Sequence, residues 1–117
     1  MTNAEAIKAF TDILKAGKHD EAARMFNSKN IVSLEAMGGP MAKVEGAAAV
    51  KAKSEWWYAN NIVHSVVTEG PYVNGNQFAL HFAMDITDKS TNKRSQMKEI
   101  GLYTVSRGKI VEEKFMY

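Results

Sequence analysis

Gln77-Phe78-Ala79-Leu80-His81-Phe82-Ala83-Met84-Asp85-Ile86-Thr87 decides the fold, because it alternates without a fault. Phe78, Leu80, Phe82, Met84 and Ile86 fall on one face, and Ala79, His81, Ala83 and Asp85 on the other. A period of two is the signature of a strand with one side against a core. Just before it stands Asn74-Gly75. A type I′ hairpin turn needs positive φ at both central residues, and this pair supplies it most readily. Upstream, Ile62–Glu69 reads as the partner strand, broken at Gly70-Pro71 by a bulge or kink. Downstream, the polar run Asp88–Lys93 turns the chain into a strand over Ser95–Val105. Arg107-Gly108 then turns it into a last strand, Ile110–Tyr117. Four long antiparallel strands twist and curl, so one face of the sheet becomes concave.

The first half of the chain has a different period. Thr2-Asn3-Ala4-Glu5 is a capping box, and Ile7, Phe10 and Leu14 follow at i, i+3 and i+7 with Ala6 and Ile13 beside them. Gly17 sits where a left-handed C-terminal residue is wanted. Asp20 reads as the N-cap of a short second helix carrying Ala22, Ala23 and Phe26. Ile31–Met37 reads as a short strand ending in the loop Gly38-Gly39-Pro40. Gly46 opens a third helix through Tyr58, whose buried side is expected to run through Val50, Ser54 and Trp57, with Trp56 on the flank. The fold class is therefore α+β: three N-terminal helices covering a curved, mostly antiparallel sheet, with 1–117 as a single domain.

Composition narrows the function. The 117 residues are 45% hydrophobic and 24% charged with a formal net charge of +2, as in an ordinary globular domain. The basic residues are scattered, and no basic stripe or aromatic platform marks a nucleic-acid surface. There is no cysteine, so disulfides, thiolate nucleophiles and cysteine-held metals are excluded. The N-terminus lacks a secretory signal and no apolar run reaches the ~20 residues that span a bilayer, so a cytoplasmic protein without membrane contact is expected. His81 and Asp85 share a face but lie ~13 Å apart at ~3.3 Å per strand residue, too far to hold one ion. No His-Glu-x-x-His, Walker, dinucleotide or Gly-x-Ser-x-Gly motif is present, so neither metal nor cofactor is expected.

Several segments resemble one family. Phe10 with Leu14-Lys15-Ala16-Gly17, the helix start Glu45-Gly46-Ala47-Ala48-Ala49-Val50, and Trp57 look like the first half of SnoaL-like proteins of the nuclear transport factor two-like superfamily. Glu99-Ile100-Gly101-Leu102-Tyr103-Thr104-Val105 and Gly108-Lys109-Ile110-Val111-Glu112-Glu113 look like the last half. The resemblance covers nearly the whole chain. It implies a cystatin-like α+β cone, usually dimeric, with an apolar cavity between helices and sheet. It also implies kinship with ketosteroid isomerases, polyketide cyclases, dehydratases and members that only bind ligands or partners. Ketosteroid isomerase carries a catalytic tyrosine on its first helix, where this chain has Phe10. Its general-base aspartate ends the first strand, near Glu35 here. Its oxyanion-hole acid falls near Glu99 or Ile100, and the acid of polyketide cyclases falls at Glu99, with Gly101 as the alternative position.

Glu99 and Glu35 are accordingly the candidate catalytic residues. A three-residue turn with Gly108 left-handed would set Glu99 opposite Phe115, on a face with Val111 and Tyr117. A carboxyl walled by such side chains titrates high enough to give or take a proton near neutral pH. Another register would turn Glu99 to solvent or pair it with Lys98 or Lys114. Glu35 reads either as a general base at the pocket mouth or as a solvated strand end. Trp57, Phe82, Met84, Tyr103 and Phe115, with His64, are the expected ligand-contacting set, and Tyr103 or His64 the hydrogen-bond donor. The other sheet face, with Ala79, Ala83 and Ile100, suits a homodimer. Two functions follow: cofactor-free acid/base catalysis of isomerase, cyclase or dehydratase type on a small apolar carbonyl compound, or binding of a hydrophobic ligand or partner without turnover.

Overall fold

The computed structural model describes residues 1–117. Helix α1, Asn3–Lys15, starts at the capping box, with Thr2 and Glu5 each receiving the other's backbone N–H. It buries Ala6, Ile7, Phe10, Thr11 and Leu14, and Gly17 turns the chain at φ +79°. Helix α2, His19–Phe26, begins one residue before Asp20, which lies in its first turn and caps nothing; the N-cap is Lys18. Strand β1, Asn27–Leu34, follows without a loop, starting earlier than its first β-branched residue suggests. A strand that the sequence pattern does not disclose, β2 at Lys43–Glu45, pairs with β1. Three residues are too few to show a period. Helix α3, Ala47–Asn60, starts after Gly46, which sits at φ +93°.

Strands β3 (Asn61–Asn74), β4 (Gln77–Asp88), β5 (Lys93–Ser106) and β6 (Lys109–Met116) form the meander, and the sheet order is β2-β1-β6-β5-β4-β3. The hairpins are antiparallel, but β1 joins β6 in parallel. Strand β3 runs through Gly70, where a register irregularity falls between Glu69 and Tyr72. A side chain at Gly70 would meet the Ala79 carbonyl at 2.9 Å, so the backbones touch there as no other residue would allow. The β5–β6 turn is shorter than the three-residue reading: Ser106 pairs with Lys109, and Arg107 and Gly108 both take positive φ. A bulge between Thr104 and Val105 then leaves Val111 as the extra residue, which resets the parity of β6.

Helix α3 lies across the sheet. It packs on both β1 and β3, which are four strand spacings apart. That is ~19 Å, a distance that the ~21 Å length of its 14 residues can bridge. Yet only Val50 of its 14 residues is fully buried, while α1 buries five of 13. Helix α3 stands off the sheet and roofs a space. At the opposite end the space is plugged by an aromatic cluster. Phe10 meets Phe26, Phe78 and Tyr103 edge-on at centroid distances of 6.0, 5.9 and 5.2 Å. No helix is long and apolar enough to cross a membrane.

Phe10 is the one ring shared by helix, sheet and plug. Truncating it leaves a cavity that three aromatic neighbours cannot refill. We expect Phe10→Ala to lower unfolding free energy by about 3–5 kcal/mol. Urea denaturation with an unchanged m-value checks this, and a loss below ~1 kcal/mol would contradict the packing described.

Candidate active site

The space under α3 is a cleft of ≈ 1270 Å³, open to solvent on one side. Its walls include Trp57, Phe82, Met84, Tyr103 and Phe115, all expected from the sequence. Glu99 and Glu35 reach it as well. His64 does not: it is exposed on β3 and hydrogen-bonds Thr87 across the sheet at 2.7 Å. Its strand face points away from the hollow, which alternation alone left open.

Register explains which carboxylates enter. Glu99 lies opposite Phe82, Gly101 opposite Leu80 and Tyr103 opposite Phe78, so the inner face of β4 continues into β5. Phe115 is opposite Gly101, two residues from the expected partner Glu99. The bulge at Val111 brings Glu113 opposite Tyr103, where an unbroken hairpin would have turned it outward. Parallel pairing sets Ser33 beside Glu113, and Ser33 Oγ donates to Glu113 Oε2 at 2.8 Å.

One lysine holds this floor together. Lys53 Nζ donates to Ser33 Oγ at 2.6 Å and to Glu35 Oε1 at 2.7 Å, and lies 5.5 Å from the centroid of the Phe115 ring. Both partners of the ion pair are shielded, with side-chain exposures of 12% and 20%. A shielded pair is screened far less than a surface one. Lys53, Ser33 and Glu113 escaped the sequence reading. Lys53 had a visible signal: Val50, Lys53, Ser54 and Trp57 stand at i, i+3, i+4 and i+7 on one face of α3. Glu113 had none, because its orientation depends on a bulge.

Glu99 is left without a partner. Burial, then the charges of Glu35 and Glu113, push its carboxyl up to about 7, while Lys53 pulls weakly the other way. Burial also raises Glu113, against the Ser33 bond and Lys53. The Tyr103 phenol is held well above its ordinary range by burial and by Glu113 and Glu99. Burial, then the charges of Glu35 and Glu99, raise the Tyr117 phenol, against a hydrogen bond with the Met37 backbone. His19 also lines the cleft, and burial depresses its pKa, so its imidazole is neutral at pH 7. No three His, Asp or Glu side chains are gathered closely enough to hold a metal ion. Chemically, the cleft offers an acid poised to gain or lose a proton at neutral pH, an ammonium fixed nearby, and aromatic walls.

A family model described as the SnoaL-like domain matches residues 1–117. A crystal structure from Mesorhizobium loti is similar over 100% of both chains, with 53% identity and a TM-score of 0.97; it is described as a candidate SnoaL-like polyketide cyclase, with carbohydrate phosphatase in brackets. A candidate isomerase from Bacillus subtilis shares the fold at 15% identity and a TM-score of 0.72, covering 98% of this chain and 88% of its own. A NTF2-like protein from Burkholderia xenovorans does so at 19% identity and a TM-score of 0.75, with 97% and 87% covered. No curated protein matches the chain.

The raised acid has a thermodynamic signature. Glu99 binds its proton more tightly folded (about 7) than unfolded (4.5), so its contribution to stability falls as pH rises between those values. Glu99→Gln removes that dependence. We expect the variant to melt higher than the parent at pH 8 and to lose this advantage by pH 4.5. A melting-temperature difference that does not change with pH would show Glu99 to titrate normally.

Proposed function

Because the chain belongs to the SnoaL-like domain family, we propose that its cleft carries out cofactor-free acid/base chemistry on a small, largely apolar carbonyl compound. The observation that supports this best is the unpaired Glu99 carboxyl, raised to about 7 inside an aromatic-walled cleft. A proton-transfer group works best when its pKa lies near the working pH, because both protonation states are then available. In its ionised form Glu99 takes a proton from the carbon next to the carbonyl, and the same carboxyl returns it at another carbon or oxygen. Isomerisation, cyclisation and dehydration all need such a step. Lys53 limits the negative charge that builds up, and Glu35 and Ser33 hold it in place. Trp57, Phe82, Met84 and Phe115 form the ligand-contacting walls.

A second reading is binding without turnover. It is favoured by Phe10, which fills the helix-one position with a hydrocarbon ring sealed in the aromatic plug. In either case a homodimer through the outer sheet face is proposed, since Val67, Tyr72, Ile100 and Met116 are exposed there.

The experiment is solvent-deuterium incorporation into enolisable ketones such as acetophenone, 1-tetralone and cyclohexanone, followed by proton NMR. We expect the protein to accelerate exchange of at least one, with a rate inflection near pH 7. Glu99→Gln should lower that rate roughly 10²–10⁴-fold. Exchange unaffected by Glu99→Gln would remove the catalytic assignment, and no exchange with any ketone would leave the binding reading.

A further inference from the structure

Tyr103 is packed on three sides and free on the fourth. Phe78 stacks on its ring at 5.0 Å and 17°, Phe10 meets it at 5.2 Å and 64°, and Phe115 meets it edge-on at 6.3 Å. The residue is only 4% exposed. Its hydroxyl nevertheless has no hydrogen-bond partner in the protein and is not walled off. The polar side-chain atoms both enclosed and unpaired are Thr11 Oγ1, His19 Nε2 and His81 Nδ1. The phenol therefore opens into the cleft it lines.

The direction of the ring depends on an absence. A Cβ built on Gly101 would fall 2.8 Å from Tyr103 Cε2, 2.9 Å from its hydroxyl oxygen and 3.0 Å from Cζ. Real side chains do not approach so closely, so the ring occupies the volume that a residue 101 side chain would need. Gly101 has no positive φ that would otherwise call for glycine. The tyrosine lies along β5 toward Glu99. Residues 99, 101 and 103 share a face at ~6.6 Å per pair, so a hydroxyl above 101 stands between the Tyr103 backbone and the Glu99 side chain. The charges of Glu99 and Glu113 both act on this phenol, which fits that placement.

We infer that Gly101 is a positioning residue: its missing side chain lays the Tyr103 phenol along the strand, so that the hydroxyl donates a hydrogen bond to a ligand oxygen beside the Glu99 carboxyl. The inference rests on the reading of the cleft as a reaction site, and it adds where the ligand's carbonyl oxygen lies: against Tyr103, beside Glu99. A phenol never ionised at neutral pH donates steadily, while Glu99 changes its protonation state. One oxygen of the ligand would then meet Tyr103 while Glu99 works on a neighbouring atom. Tyr103 is fixed by three aromatic rings, so little ordering is left for the ligand to impose.

Binding can be read apart from turnover. The probe is acetophenone labelled with 13C at its carbonyl, and the readout is the infrared stretch of the bound probe. A donated hydrogen bond moves that stretch to lower frequency. We expect a lowered stretch in the parent protein, lost in Tyr103→Phe and equally lost in Gly101→Ala, although the latter keeps its phenol. Combining the two substitutions should give no further change. Deuterium exchange gives the second readout: kcat should fall in both variants while KM changes little. A stretch unmoved in the parent, whether from lack of binding or of hydrogen bonding, overturns the inference. So does a lowered stretch surviving in Tyr103→Phe or in folded Gly101→Ala. Should Gly101→Ala fail to fold, Gly101→Ala with Tyr103→Leu removes the ring and restores the space. Recovery of folding supports the slot, and continued failure overturns it. A lowered stretch with no deuterium exchange would separate the two ideas, keeping the hydrogen bond and discarding the catalysis.

Discussion

One ammonium has to serve more carboxylate than it can reach. Lys53 is committed to Glu35 and Ser33, and through Ser33 it steadies Glu113. Nothing equivalent is offered to Glu99. In water three carboxylates would ionise independently, but removed from water and near one another they compete for the same compensation. Glu99, the group with no hydrogen bond, keeps its proton up to about 7. The behaviour of the cleft is thus set by how hydrogen bonds are distributed as much as by how many acids are present. It also means that the carboxyl with the raised pKa is distinguished by what it lacks.

The architecture was largely legible because the residues that build it repeat. The capping box at Thr2, the stripe of α1 and the alternation of β4 each recur along one element, and the structure follows them closely. The meander followed from Asn74-Gly75 and from the polar turn before Lys93. Errors gathered where a single residue decides. Asp20 resembles a cap but sits inside its helix, and β2 is too short to leave a pattern. Arg107-Gly108 is a two-residue turn because an arginine accepts positive φ there. That is costly for most side chains and so hard to expect.

Legibility of the site divided along the same line. Trp57, Phe82, Met84, Tyr103 and Phe115 could be read, since apolar residues on a known face have one place to go. Glu99 came within reach through the same alternation, helped by family resemblance. Lys53 was readable on the stripe of α3, but a lysine on a helix is more often a solvated residue. Glu113 could not be read, because one extra residue in β6 reverses every side chain beyond it. His64 shows the converse. A histidine with the right chemistry sat on the wrong side of its strand, and the offset between Val63 and Ser65 shows how irregular its pairing is.

The parallel ladder between β1 and β6 joins segments 80 residues apart, as the Ser33–Glu113 hydrogen bond makes explicit. Such a long loop is entropically expensive to close, and it gains its stabilising contacts only once the intervening hairpins exist. During folding the meander can assemble while its acids still face water and titrate as they would in a short peptide. Part of the unusual acidity depends on the docked amino-terminal segment, which brings the charge of Glu35 to bear on Glu99. With that segment undocked, the meander would keep its hairpins and lose that part of the shift.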